Sequence, residues 1–362
     1  MPVVGPPISV RRLRARLAGH GRGDRGAIAV IVALLLGSGV LLGMAAVVVD
    51  VGNIYVEREQ LQSGADAGAV KIAQSCATDP SGCASSALDI ARTYADLNSG
   101  RGSAGVSVCG RGHELTDCPA PSGALSDCIG AAPASGNYVE VHTSTLLPDG
   151  STALPPAFAQ AIAGGYRGPT VAACARAEWG TPGSAQLAMA ISLCAWNTYT
   201  TNGTSFPNPP VEQVIDLYDD TNGGACQLTG PPDGFGWLDD QKGDCRTPVV
   251  ANGTYQGDPG DDVSHGCREM LSGIAGRPVL MPIYNAVSGQ GSDLTYTLAG
   301  FAAFVVTGWQ LPGSAAPSTL TGRSVCDHSN ACVFGYFTRT TLPAGGAMGG
   351  PDLGAIVIRL VG

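Results

Sequence analysis

Three patterns of apolar and polar positions succeed one another along the chain. From Ala27 to Val49 it reads AIAVIVALLLGSGVLLGMAAVVV, with no charged side chain until Asp50. As a helix, about 23 residues at 1.5 Å each span roughly 35 Å, enough to cross a hydrocarbon core of about 30 Å. The apolar core of a cleavable signal is shorter, about 7–15 residues. Here apolar Val47–Val49 come directly after the small residues Ala45 and Ala46 without a polar break, so the run predicts a retained transmembrane helix over 27–49. From Asp50 to Cys76 the pattern stays helical but thins to a stripe of Ile54, Leu61, Ala65, Ala69 and Ile72, with Glu57, Arg58 and Glu59 on the other faces. A second helix is predicted from Cys83 to Asn98, burying Leu88, Ala91, Tyr94, Ala95 and Leu97. Beyond Gly105 the period becomes two. Val106–Val108, Tyr138–Thr143 and Thr170–Trp179 read as strands, and Pro155–Ile162 reads as a short helix opened by prolines.

Thr181-Pro182-Gly183 marks a boundary. Residues 197–266 are rich in Asn-Gly, Pro-Pro and Gly-Gly turns. Buried strands come next, at Pro278–Tyr284, Leu294–Leu298, Ala299–Thr307, Val333–Thr338 and Ala355–Leu360. The expected architecture is α+β, in four parts. A basic tail (1–26) precedes the transmembrane helix (27–49), which continues into a helix-plus-sheet domain (50–180). A Cys-rich, β-rich domain (181–362) completes the chain.

Charge and cysteine placement give this layout a direction. The net charge of −9 and pI near 4.9 argue against a nucleic-acid partner. Arg11, Arg12, Arg14, Arg16, Arg22 and Arg25 all precede the apolar run, whereas all twelve cysteines lie after it, from Cys76 onward. Positive charge on one side and cysteines on the other predict a cytoplasmic N-terminus and an extracytoplasmic bulk. No paired CxxC or Cys/His spacing suggests metal, so the even cysteine count predicts disulfides. Cys76 and Cys83 flank the turn Asp79-Pro80-Ser81-Gly82, where a bridge would staple the two helices. Cys326 and Cys332 close a small loop, and the remaining connectivity stays open. Gly39 and Gly43 form a GxxxG, a candidate helix-packing face in lipid.

Candidate chemistry is sparse. No HExxH, GxSxG, P-loop or dinucleotide fingerprint occurs among residues that include five histidines, His20, His113, His142, His265 and His328. Gly257-Asp258-Pro259-Gly260-Asp261-Asp262 offers oxygen ligands for calcium but lacks the spacing of a calcium loop, and it reads as a solvated turn. A Cys nucleophile with His265 or His328 as base would make a hydrolase, but in an oxidising compartment a paired cysteine is the expected state. Trp179, Trp196, Trp237 and Trp309 would suit either an adhesin's binding surface or a core. These features lead to a non-enzymatic protein with no cofactor. The alternatives are a cell-surface binding module, cation-dependent or not, and a secreted hydrolase.

One stretch carries a family resemblance. Arg25-Gly26-Ala27, the apolar run, Asp50-Val51-Gly52-Asn53-Ile54-Tyr55, Arg58, Leu61-Gln62 and Ala65-Asp66-Ala67 are similar to the N-terminal segment of TadE/TadG-like proteins of the Tad/Flp tight-adherence pilus system. The strands and Pro-Phe-Ala segment across 138–178 resemble the region C-terminal to that segment in the same family. The resemblance implies a pilin-like helix-plus-sheet domain. It also implies a single-pass envelope protein whose partners are the membrane and other pilus or secretion subunits. Two departures matter. Pilins of this system are cut after a glycine with a glutamate five residues on, and here Ile31 stands five after Gly26. The DxSxS metal motif of many TadG-type members is absent, and Asp216-Leu217-Tyr218-Asp219-Asp220 does not supply it.

Overall fold

The computed structural model describes residues 23–37, 39–124, 126–159, 165–217, 234–258, 265–327, 330–343 and 346–362. Most of the basic tail lies outside them. The apolar run is helical but divided, with α1 over Gly23–Gly37 and α2 over Val40–Thr78. Gly39 stands between them in the left-handed region (φ 73°, ψ 1°), where a residue without a Cβ meets no steric penalty. The uninterrupted helix expected over Ala27–Val49 is therefore corrected to two helices, one ending at Gly37 and the next beginning at Val40. Among the described residues no helix is long and apolar enough to cross a membrane.

Past Asp50, α2 carries the stripe Leu61, Ala65, Ala69 and Ile72, all buried. After the turn at 79–82, α3 (Cys83–Asn98) runs back along it. The buried side of α3 is Cys83, Ala87, Ala91 and Ala95, a clean i, i+4 row of small residues. Leu88 and Leu97, expected inside, are exposed. Closeness is the reason. A Cβ on Gly64 of α2 would lie 2.9 Å from the Ala95 Cα, and one on Gly68 would lie 3.4 Å from the Ala91 Cα. Backbones this near leave no room for leucine.

The hairpin lies on a sheet begun by β1 (Ala104–Arg111), β2 (Asn137–Thr145) and β3 (Ala172–Gly180), paired antiparallel in that order. Val139, Val141, Ala175 and Ala177 face the helices and share one core with Ala65, Ala69, Ile72 and Ala91.

A second, larger core comes after it. β4 (Ser184–Leu187) leads through β5 (Met189–Ser192) into α4 (Leu193–Thr200), whose first turn is capped by the Ser192 hydroxyl accepting from the Ala195 N–H. Then come β6 (Gln213–Asp216), β7 (Phe235–Leu238), β8 (Arg246–Val250), which pairs with β4, and β9 (Thr254–Asp258). Helix α5 (His265–Ile274) precedes the long hairpin of β10 (Pro278–Ser288) and β11 (Thr295–Leu311). β12 (Ser314–Ala316) and β13 (Cys332–Phe337) pair with the far end of β11. The neighbours β10-β5-β7-β9-β11 return to β10, so five strands close a circuit and remove their own edges. Tyr284 and Tyr296 meet edge-on inside it, 5.0 Å between ring centres. Glycines at 236 and 257 leave room for Tyr296, since a Cβ at Gly257 would stand 2.7 Å from its ring.

The chain then returns to the first sheet. β15 (Ala355–Leu360) pairs antiparallel with β3, and β14 (Thr340–Pro343) lies parallel beside it, giving the order β1-β2-β3-β15-β14. A unit running from 181 to 362 thus does not hold its own last strand. Ile356 and Ile358 pack instead on the core under the helical hairpin.

Candidate functional site

The stalk is built from α1 and α2. Ile28, Ile31, Leu34, Met44, Val47 and Val48 are each more than half exposed, while Ala46 between them is buried. The first polar side chain after the run, Asp50, is 9% exposed and faces inward. Its carboxylate accepts from the backbone N–H groups of Ala157 (2.6 Å), Phe158 (3.2 Å) and Ala159 (2.7 Å). Three successive N–H groups meeting one carboxylate is the arrangement that satisfies a helix start. Within the short helix expected over Pro155–Ile162, residues 155–158 are not helical, and 160–162 lie outside the described residues. Asp50 therefore clasps the Ala157-Phe158-Ala159 segment to the point where the apolar run ends.

Further along α2, each polar side chain that turns inward has a partner. Gln62 Nε2 donates to Asp66 Oδ1 (2.8 Å) and to the Cys174 carbonyl of β3 (3.0 Å). Thr143 of β2 donates to the Leu61 carbonyl at 3.0 Å. Buried Glu57 pairs with Arg101 at 3.4 Å, and Gln60 accepts from the Gly100 N–H. Helix and sheet are held by hydrogen bonds as well as by the small-residue core.

On the opposite face of the sheet, alternate residues of β2 and β3 build a buried polar cluster. Glu140 Oε1 accepts from Arg176 Nε at 2.7 Å, and Glu140 Oε2 lies 3.2 Å from His142 Nε2. The other imidazole nitrogen, Nδ1, meets the Ser126 carbonyl at 3.3 Å. Arg176 also donates to the carbonyls of Ile129 and Gly130. Burial opposes ionisation of Glu140, but hydrogen bonds from His142 and Arg176, with their positive charge, hold its carboxyl below the usual range. The hydrogen bond to Glu140 raises His142 above its ordinary value, against the smaller opposing effect of burial. The loop over this cluster has little apolar surface of its own. Two disulfides fix it, Cys109–Cys118 and Cys128–Cys174, with Cα separations of 4.9 Å each.

The remaining sequence candidates divide between cores, disulfides and open helix faces. Cys76 and Cys83 are joined across the helix turn (Cα–Cα 4.5 Å), and Cys326 and Cys332 are joined at the entry to β13 (5.6 Å). Cys245 bonds Cys267, and Cys194 is also disulfide-bonded. Among the described residues no cysteine is free. The His265 side chain, His328 and most of the acidic loop 257–262 lie outside the described residues. All four tryptophans are buried, so they belong to the cores and form no adhesin surface. Gly39 sits in the break before α2 and Gly43 in its first turn, and a Cβ on either would meet nothing of this chain. The packing glycines within the chain are Gly64 and Gly68, a second GxxxG legible in Leu61–Val70 but not singled out there. The Glu140–Arg176–His142 cluster had a signal too, because charged residues at every second position of two strands place them on one face.

Comparison with known proteins adds one assignment. Residues 26–70, 45 of the 362, match the family model Tad, described as putative Flp pilus-assembly TadE/G-like. The matched segment runs from the exposed apolar helices through Asp50, Gln62, Gly64 and Gly68. No curated protein and no solved structure matches the chain.

Proposed function

We propose that the chain is a single-pass, membrane-anchored and non-enzymatic component of a Tad/Flp-type pilus or secretion machine. Its N-terminus is cytoplasmic, and the disulfide-bonded α+β body is presented outside the membrane to partner subunits. The observation that carries the reading is that the Tad match coincides with helices on which six large apolar side chains are each more than half exposed. A fully buried Val, Leu, Ile or Met gains about 1.5–3 kcal/mol over an exposed one. Six such residues therefore favour lipid or partner helices over water by roughly 10 kcal/mol. Together α1 and the apolar start of α2 have the length for a bilayer, with the bend at Gly39 between them. At the bend the Gly39 N–H donates to the Leu36 carbonyl and the Gly39 carbonyl accepts from Gly43, so both backbone groups of Gly39 are paired. The open faces of Gly39 and Gly43 would admit a neighbouring helix closely.

Membrane fractionation with crosslinking tests this. The full chain should resist alkaline extraction and crosslink, through cysteines placed at Val48 or Tyr55, to subunits of a pilus or secretion apparatus. Extraction as a peripheral protein, or crosslinks to no such subunit, would refute it.

A further inference from the structure

We propose that Cys128, Cys174, His142 and Glu140 form a site for a zinc-class divalent cation when the Cys128–Cys174 disulfide is reduced. The four residues bring one ligand atom each to within 4.8 Å of one another. Two thiolates, an imidazole and a carboxylate are a donor set suited to a tetrahedral, borderline-soft ion. Zinc bonds of about 2.0–2.3 Å put the ligand atoms of a tetrahedron about 3.3–3.8 Å apart. His142 Nε2 already stands 3.2 Å from Glu140 Oε2 and 3.7 Å from Cys174 Sγ. The covalent bond holds the two sulfurs closer than any edge of that tetrahedron, and breaking it lets them separate.

The surroundings of the four residues orient them as an outer shell orients metal ligands. The Ser126 carbonyl holds His142 Nδ1 and turns Nε2 inward, while Arg176 holds Glu140 Oε1 and leaves Oε2 for the ion. Two thiolates and a carboxylate balance a divalent ion and the Arg176 guanidinium, so the buried cluster stays neutral. The adjacent Cys109–Cys118 pair also reaches Glu140, but that group contains no imidazole and only three donors.

In the reduction, a dithiol supplies two electrons and two protons to the Cys128–Cys174 bond and leaves as its own disulfide. Metal binding then releases both thiol protons to water and requires Nε2 unprotonated. The ion would take over the staple that pins the loop to β3.

Reduction of the full chain in detergent with a phosphine, which ends as its oxide with oxygen from water, tests this by alkylation mapped with mass spectrometry. Zinc should slow alkylation of Cys128 and Cys174 by roughly tenfold or more, with about one ion bound per chain. His142→Ala should abolish that protection, and His142→Cys, which keeps a fourth donor, should restore it. Equal alkylation rates with and without zinc would overturn the proposal. So would protection confined to Cys109 and Cys118, protection unchanged in His142→Ala, or reductive unfolding that zinc does not prevent.

Discussion

Two alanine substitutions one helical turn apart should have opposite effects on stability. Gly→Ala within a helix gains about 0.8–1.0 kcal/mol in propensity wherever the new methyl fits. At Gly68 the Cβ would sit 3.4 Å from the Ala91 Cα and 3.7 Å from Val141 Cγ1, ordinary contact distances. Gly68→Ala should therefore stabilise by about 0.5–1 kcal/mol. At Gly64 the Cβ would lie 2.9 Å from the Ala95 Cα, well inside the roughly 3.5–4.0 Å optimum for carbon pairs. The obstacle is backbone, so α3 must move as a body, at a cost of about 1–3 kcal/mol. Set against the propensity gain, Gly64→Ala should be neutral to destabilising by about 2 kcal/mol. Urea unfolding of the full chain monitored by far-UV circular dichroism measures both, and hydrogen exchange of the α3 amides localises the effect. Gly64→Ala equal to or more stable than Gly68→Ala would refute the close-packed hairpin.

The geometry sets three further outcomes. Asp50→Ala leaves three backbone N–H groups without their acceptor. It should speed amide exchange at Ala157–Ala159 by an amount equivalent to about 1–3 kcal/mol of local stability, and unchanged exchange would remove the clasp. Arg176→Met strands the buried Glu140 carboxylate and should cost about 3–5 kcal/mol in thermal or urea unfolding, most of it recovered in Arg176→Met/Glu140→Gln. The disulfide-bonded protein should show a stability maximum between two carboxylate and imidazole limbs. His142, raised in the fold, contributes fully below its ordinary pKa of 6.5 and loses that contribution as pH climbs through the raised value. Glu140, lowered in the fold, contributes above its ordinary 4.5 and loses that contribution as pH falls through the depressed value. A melting temperature whose alkaline limb is the same in His142→Gln as in the parent would contradict this.

Periodicity made much of the first unit legible. The stripe Leu61, Ala65, Ala69 and Ile72, the helix Cys83–Asn98 and the strands through Val141 and Ala175 all reflect local spacing. The two short-range disulfides, Cys76–Cys83 and Cys326–Cys332, are similarly local, since short loops already hold their ends together. What spacing could not supply was distance between elements. Leu88 and Leu97 looked buried because they are large and apolar, but Gly64 and Gly68 bring α3 too near for them.

Neighbouring residues and composition are enough to define the long apolar run, the abrupt change of character at Asp50, the sidedness of arginines and cysteines, and the Tad-like segment. Tertiary packing was needed to establish that Asp50 reaches 107 residues along the chain to Ala157 and that β15 returns to pair with β3. Packing also brings Glu140, His142 and Arg176 together beneath a loop stapled by Cys128 and Cys174. These contacts join residues far apart in sequence, and side-chain spacing along one element carries no information about which other element will face it.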